Sequence, residues 1–503
     1  MSNGIVYLVG AGPGDPGLLT LRGAELLKRA EVLVYDYLAS PAILNHVPAD
    51  CRRIYVGKQS GNHAKTQDEI NAILVQEGLA GRVVVRLKGG DPYIFGRGGE
   101  EAQELRKAGL MFQVVPGISS TIAAAAYAGI PLTHRDFSSQ AALVTGHERP
   151  DKNESAHDWA ALAKMNTISM VMGVKNLDHI CRSLIEAGRE PATAAALVQW
   201  GTTMRQRTVT GTLADLPAKA EEAKIGPPAL FVAGGVVSLR DELNWFETLP
   251  LFGRRILVTR SRERSSRLAA FLGELGAEVW ERPTIATEAV DDPMQFNAVM
   301  ADLSSYDWLV FTSPTGVETF LGGLFKSGLD SRSLAGLKIA VIGSGTAESL
   351  TAFGLKADLM PEKYVAEALL AALLEAGVAG KKILIPRALE GRDVLPEGLE
   401  KAGAQVKDLA VYKTVNPVWS EPLPGVPDLV TFTSSSTAEG LAALIPLEER
   451  KNYKAVSIGP ITTETARGLG FGVVAEAEKA TVDSLVSAIA AYLAKTVKRQ
   501  PEA

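Results

Sequence analysis

Three short segments in the second half of the chain occur twice in the same order, and this repetition constrains the fold more than any other feature. G-R-R-I-L-V-T-R from Gly253 returns as G-K-K-I-L-I-P-R from Gly380. D-W-L-V-F-T-S-P-T-G-V-E from Asp307 returns as D-L-V-T-F-T-S-S-S-T-A-E from Asp428. L-K-I-A-V-I-G-S-G-T-A-E from Leu337 returns as Y-K-A-V-S-I-G-P-I-T-T-E from Tyr453. Each unit is an apolar run of strand length, a turn of small residues and a helical pattern. Generic α/β similarity would give isolated matches, whereas three in order imply two similar α/β lobes of roughly 120 residues with a cleft between them, the usual place for a ligand.

With 503 residues the chain is too long for one core. Hydrophobic residues at 46% and charged residues at 22% place it among globular proteins. The net charge of −5 offers no polycationic surface, so no nucleic-acid partner is expected. No apolar run approaches the roughly 18 residues that span a bilayer, so no membrane association is expected. The opening M-S-N-G-I-V-Y-L-V-G lacks a basic region and a cleavage site, and its apolar run fits a strand. Cys51 and Cys181 are the only cysteines and lie far apart, which argues against a disulfide framework and for a cytoplasmic enzyme. All six histidines (46, 63, 134, 147, 157 and 179) precede residue 180. The second half therefore cannot use histidine acid–base chemistry, a cysteine nucleophile or a His/Cys zinc site. No metal site is expected anywhere, because the spacing of His63, His134 and His147 fits no helical pair of ligands.

Strand-like runs at 5–9, 32–35, 83–87, 113–115, 142–145 and 229–233 alternate with helical patterns in the first half, which predicts parallel or mixed sheets covered by helices. L-R-D-E-L-N-W-F-E (239–247) predicts a closing helix, R-R-I-L-V-T-R predicts an opening strand, and the boundary falls near Pro250 to Gly253.

The sharpest local motif is V-R-L-K-G-G-D-P-Y-I-F-G-R-G-G-E-E, from Val85 to Glu101. A buried strand runs into Gly89-Gly90-Asp91-Pro92. Glycines let a ligand approach the backbone, Asp91 adds a fixed acceptor and Pro92 stops the strand. The pattern suggests a small ligand held at the carboxyl end of a strand. Gly10-Ala11-Gly12-Pro13-Gly14-Asp15-Pro16 also follows a strand, with Asp36 about 20 residues on. As a dinucleotide fingerprint it fails, since Asp15 stands where the third glycine belongs and Pro13 removes an amide.

These motifs carry a resemblance. G-A-G-P-G-D-P-G-L-L-T-L-R-G (10–23), Y-D-Y-L (35–38), G-K-Q-S-G-N-H (57–63), L-K-G-G-D-P-Y-I-F-G-R-G-G-E-E (87–101), V-V-P-G-I-S-S (114–120), A-G-I-P-L-T-H-R (128–135), T-G-H (145–147), W-G-T-T-M-R-Q (200–206) and P-A-L-F-V-A-G-G-V-V (228–237) resemble uroporphyrinogen-III C-methyltransferase, a tetrapyrrole methylase, in order from about residue 4 to 247. The resemblance implies a cleft between two α/β lobes that binds S-adenosylmethionine. Pro13, Gly89, Gly90, Asp91, Ile94, Ser119, Ser120, Met172, Gly201 and Ala229 fall on its cofactor-contacting positions. Asp36 matches the proposed catalytic base and Lys58 the proposed proton donor. The family often has Arg after the Tyr-Asp pair, where this chain has Tyr37. A homodimer through the first half is also implied.

The residue types suit that chemistry. A sulfonium methyl donor is already activated, so alignment with the nucleophile is the main task. The nucleophile would be a pyrrole β-carbon, made electron-rich as an N–H proton leaves, and a strand-end carboxylate such as Asp36 could accept that proton. Taken alone, Asp36 fits a turn or helix cap better, and Lys58 better fits a surface lysine. Arg86, Arg97 and Arg135 could pair with substrate carboxylates or form internal salt bridges.

The second half, over about 254–493, resembles uroporphyrinogen-III synthase in its order of elements, its T-S-P-T-G and T-S-S-S-T turns, I-G-S-G-T (342–346) and V-Y-K-T (411–414). That family has two lobes joined by a two-stranded linker, which implies one lobe from 254–285 plus 418–493 and another from 290–412. It takes the open-chain tetrapyrrole hydroxymethylbilane, removes water, inverts the last ring and closes the macrocycle, and it needs no cofactor. Tyr412 aligns with the family's tyrosine near the leaving hydroxyl. Thr312-Ser313, Ser344 to Thr346 and Thr433 to Ser436 could bind carboxylates at helix starts or simply cap those helices. Arg260, Arg262, Arg387 and Arg392 could bring positive charge to the cleft mouth or lie on a solvated face.

The expected architecture is thus α/β: a methylase fold of two lobes with a cleft over 1–250, then a two-lobed synthase fold over 251–497. The expected function is bifunctional. The second half makes uroporphyrinogen III, and the first methylates it at C2 and C7 to precorrin-2. A dinucleotide-dependent oxidoreductase, a methylase specific for a later corrin position, and a methylase joined to a noncatalytic binding module remain the alternatives.

Overall fold

The structure, a computed structural model, describes residues 4–36, 41–57, 65–146, 157–260, 262–391, 393–415, 417, 419 and 422–496. It divides into two compact units, Met1–Arg255 with Leu272–Glu278, and Ile256–Phe271 with Val279–Ala503.

The first sheet holds β1 (Ile5–Gly10), β2 (Val32–Tyr35), β3 (Arg52–Tyr55), β4 (Val83–Lys88) and β5 (Met111–Val115), in the order β3-β2-β4-β1-β5. Every pairing is parallel. Both faces are covered, as parallel sheets require. Val9, Leu33, Val85 and Leu87 pack with Leu26, Leu27 and Ile43 on one face, and Val6, Leu8, Val34 and Val84 pack with Ile70, Leu74 and Leu105 on the other. Alternation along β4 puts Arg86 and Lys88 on the second face, in line with Val84.

The second sheet holds β6 (Ala141–Thr145), β7 (Thr167–Val171), β8 (Ala194–Gln199), β9 (Arg207–Thr212) and β10 (Ala229–Ala233), in the order β6-β7-β10-β8-β9. Only β6 and β7 run parallel. The expected closing helix over 239–247 is shorter, Arg240–Leu243. Beyond it the chain turns so that Phe246 is buried 4.7 Å from the Tyr127 ring, and the Trp245 indole donates to the Ala126 carbonyl at 3.1 Å. These tertiary contacts outweigh the helical pattern.

Two more five-stranded sheets follow. Their strands are β11 (Arg255–Val258), β12 (Glu278–Glu281), β13 (Ala286–Ala289), β14 (Trp308–Phe311), β15 (Lys338–Val341), β16 (Lys382–Ala388), β17 (Gln405–Val415), β18 (Leu429–Phe432), β19 (Lys454–Ser457) and β20 (Gly472–Glu476). The orders are β12-β11-β18-β19-β20 and β13-β17-β16-β14-β15. The repeat is exchanged between them. β11, from the first copy, pairs with β18 in the sheet that holds β18 and β19 of the second, while β16, from the second, pairs with β14 in the sheet that holds β14 and β15 of the first. The far end of β17 pairs antiparallel with β13, Ala286 opposite Val415 and Ala289 opposite Tyr412, making a two-stranded ribbon.

Candidate active sites

At the carboxyl ends of β1, β4 and β5 three glycine backbones meet. Gly12 and Gly90 exchange hydrogen bonds at 3.2 and 2.7 Å. A Cβ on Gly10 would lie 2.5 Å from the Gly117 Cα, and one on Gly117 would lie 2.3 Å from the Gly90 carbonyl oxygen. No side chain fits there, because the obstructing atoms are backbone. Asp91 locks the junction. Its Oδ1 accepts from the amides of Tyr93 (2.7 Å) and Ile94 (3.1 Å), and its Oδ2 accepts from Gly117 (2.9 Å). The buried Asp91 carboxylate therefore shapes the loops at this junction.

Ser119 caps the helix Ser120–Tyr127, with its hydroxyl accepting from the Thr121 amide at 3.3 Å. Gly90 sits against this helix start, 3.7 Å from the Ser120 nitrogen when a Cβ is built on it. Further along the helix, a Cβ on Gly201 would lie 2.3 Å from that of Ala124. Gly201 follows β8, Met172 follows β7 and Ala229 opens β10. Because Ala229 lies opposite Gln199 and Leu230 opposite Val171, all three fall at one end of the central strands of the second sheet. That end is strained: Met172, Trp200 and Thr202 have φ of 58°, 50° and 68°, a conformation that clusters at functional sites. The loop of Pro13 reaches the same turn, where the Asp15 amide donates to the Thr202 hydroxyl at 3.2 Å and the Tyr127 hydroxyl donates to Asp15 Oδ2 at 2.7 Å. A cavity of about 370 Å³ beside Trp159 and His179 touches this set only through Met172.

The structure thus gathers Pro13, Gly89, Gly90, Asp91, Ile94, Ser119, Ser120 and Gly201 around one junction, with Met172 and Ala229 at the adjoining strand ends. Asp36 stands just past the end of β2, next to β4. Lys58, Tyr37, His63 and His147 lie outside the described residues. The loop does not behave as a dinucleotide motif: its Gly12 amide is spent on Gly90, and the next α-helix begins only at Leu21.

Arg86 is buried and turned inward. Its Nη2 lies 3.3 Å from Asp36 Oδ2 and its Nε 3.2 Å from Glu101 Oε1, and its Nη1 donates to the Leu87 carbonyl at 3.0 Å. Lys88 Nζ lies 2.7 Å from the same Glu101 oxygen. Burial, then the charge of Arg86, pulls the Lys88 pKa below its ordinary value, and Glu101 partly restores it. Sequence reasoning missed Glu101 and Lys88, although charges two residues apart in an apolar strand were a signal that both share one face. Arg97 pairs with its neighbour Glu100 at the surface, at 2.7 Å.

In the second half, each of four parallel strands ends at a helix start. Ser313 caps Pro314–Lys326, Gly343 precedes Ser344–Thr351, Ser434 caps Ser435–Leu444 and Gly459 precedes Pro460–Gly468. The Ser313 and Ser434 hydroxyls accept from the amides of Gly316 (3.0 Å) and Thr437 (3.3 Å), so both cap their helices. Tyr412 is half-buried on β17, its hydroxyl 2.9 Å from that of Ser313. Arg387 is buried and held by Asp408, at 2.8 Å from its Nε, and by Asp393, so its charge is internal. Those bonds, to Asp408 first, raise its pKa. Arg392 and the Arg262 side chain lie outside the described residues. Among the described residues no cluster of His, Cys, Asp and Glu could hold a metal ion, and no helix is long and apolar enough to cross a membrane.

Comparison with known proteins matches residues 5–217 to the tetrapyrrole (corrin/porphyrin) methylases and residues 266–487 to uroporphyrinogen-III synthase HemD. The porphyrin biosynthesis protein HemD of Ruminiclostridium josui is 40% identical over 496 residues, 97% of each chain. The S-adenosyl-L-methionine-dependent uroporphyrinogen III methyltransferase of Methanosarcina barkeri is 53% identical over 241 residues, covering 48% of this chain and 94% of that one. Among solved structures, the uroporphyrin III C-methyl transferase of Thermus thermophilus is 39% identical and aligns with 47% of this chain and all of its own, with a TM-score of 0.41.

Proposed function

The chain belongs to the tetrapyrrole methylase family in its first half and to the uroporphyrinogen-III synthase family in its second, and on that premise we propose how its two sites divide the work of a bifunctional enzyme of tetrapyrrole biosynthesis. The second half, within 251–497 and with lobes at 254–285 plus 418–493 and at 290–412, converts hydroxymethylbilane to uroporphyrinogen III. The first half, within 1–250, methylates that product at C2 and C7 to give precorrin-2.

The observation that carries the methylase reading is the glycine junction. Backbone from Gly10, Gly90 and Gly117 is packed to contact, so loop amides and carbonyls are presented at the ends of parallel strands, where ligands bind in such sheets. This fits S-adenosylmethionine. Pro13, Gly89, Gly90, Asp91, Ser119, Ser120 and Gly201 would hold it, and the half-buried Ile94 and exposed Met172 would supply apolar contact, with Ala229 beside them. The donor supplies an activated methyl group. Asp36 accepts the pyrrole proton and Lys58 serves as the proton donor.

In the second half no cofactor is needed. Helix starts after β14, β15, β18 and β19 receive substrate carboxylates through their amides. Tyr412, poised by Ser313, assists departure of the hydroxyl, and ring inversion follows from how the chain is held. The enzyme acts in the cytoplasm as a homodimer through its first half. Incubating the full chain with hydroxymethylbilane and S-adenosylmethionine is expected to give a macrocycle carrying two added methyl groups by mass. A linear or unmethylated product would contradict the reading.

A further inference from the structure

Glu101 is fully buried, yet it is a carboxylate. Its Oε1 receives Gln67 at 3.3 Å, Arg86 at 3.2 Å and Lys88 at 2.7 Å, while its Oε2 has no hydrogen-bond partner among the described residues. Burying such a group is costly, and a well-packed apolar set would serve stability at least as well. What Glu101 achieves is to fix a direction. With Nε on Glu101 and Nη1 on the Leu87 carbonyl, the planar Arg86 guanidinium cannot turn, and its Nη2 is aimed at Asp36.

We propose that Glu101 and Arg86 are positioning residues for Asp36: Glu101 clamps the guanidinium, and the guanidinium orients the Asp36 carboxylate. This rests on the reading of Asp36 as the base. In that step the pyrrole β-carbon bonds to the methyl as the S–CH₃ bond breaks, the electron pair staying on sulfur. Asp36 takes the N–H proton and, with its side chain 26% exposed, returns it to water. Arg86 of β4 pairs with Asp36, and Lys88 of β4, Glu101 of the helix Gly98–Lys107 and Gln67 of the helix Gln67–Leu79 stand behind it.

The test is methyl transfer to uroporphyrinogen III by the full chain, resolved into kcat and KM, with affinity for S-adenosylhomocysteine as the check on folding. R86Q/E101Q removes both charges of the buried pair together. It should bind S-adenosylhomocysteine like the parent and keep the parental KM for uroporphyrinogen III while kcat falls about a hundredfold, because a misaligned base costs chemistry rather than binding. R86K keeps the charge but loses the fork, so its kcat should fall about tenfold at the parental KM. A merely structural role would weaken S-adenosylhomocysteine binding and raise KM along with the loss of kcat. Parental kcat in R86Q/E101Q, or a loss of kcat in either variant matched by weaker S-adenosylhomocysteine binding, would overturn the inference. Should R86Q/E101Q not fold, R86K decides alone: kcat equal to the parent's would also overturn it. D36N separates the two readings. Parental kcat in D36N sinks the assignment of the base itself, whereas an inactive D36N beside parental kcat in R86Q/E101Q sinks only the positioning role.

Discussion

Both halves end parallel strands in helix starts, but they fill those ends differently. The first sheet places a buried charged set, Arg86, Lys88 and Glu101, behind a strand-end carboxylate, and its loops are glycine backbone packed to contact. In the second half hydroxyls and helix amides stand at the strand ends, and the one buried arginine among the described residues is already neutralised by Asp408 and Asp393. The contrast follows from the chemistry. Removing a proton in step with methyl transfer calls for a charge fixed in place. Closing a ring on a polycarboxylate that loses its own leaving group calls for a well-shaped surface of donors.

The comparison can be broken most severely at Gly117. Gly117→Val drives a side chain into the Gly90 carbonyl and Gly10 backbone. It should abolish methyl transfer and destabilise the first half by roughly 2–3 kcal/mol, with cyclisation of hydroxymethylbilane unchanged. Calorimetric melting and separate assays of the two activities check this, and retained methylation would show that the junction does not shape the site. A smaller effect is expected at Tyr412→Phe, which removes one hydroxyl bonded to Ser313. Cyclisation should slow roughly tenfold, the worth of one hydrogen bond, and methylation should not change. Smaller still is Ser434→Ala. Losing the cap should cost about 1 kcal/mol in thermal unfolding, and a much larger loss of cyclisation than of stability would show that the hydroxyl also meets substrate.

The last prediction is a null result. Burial pushes the Cys181 thiol up to about 12, and Cys51 is buried and also raised. At pH 8 both stay protonated, and thiols react as thiolates. Iodoacetamide should leave both untouched in the native protein while it modifies the denatured chain, and methylation should survive the treatment. Rapid loss of activity would point to a reactive cysteine that the structure does not contain.

Strands with unbroken β-branched or aliphatic runs, such as β1, β2 and β10, were legible from the sequence because period and length agree. β8, A-A-A-L-V-Q, was not, since alanine favours a helix and only its antiparallel partners β9 and β10 make it a strand. The repeat in the second half was legible too, but local pattern says nothing about which copy of a strand pairs with which, and the exchange between two sheets was implied only by the resemblance to the synthase family. At the first site the glycine loops announced themselves. The direction of Arg86 did not: it depends on Glu101, which follows the glycine loop after β4 and meets Arg86 only when the helix Gly98–Lys107 packs on the sheet.

The most direct test of the whole account is a single reaction of Asp36→Asn with hydroxymethylbilane and S-adenosylmethionine, read by mass and by isomer analysis. The account predicts that uroporphyrinogen III accumulates without added methyl groups, since the two sites work on separate scaffolds and only one has lost its base. Normal precorrin-2 formation, or hydroxymethylbilane left unconverted by the enzyme, would contradict it.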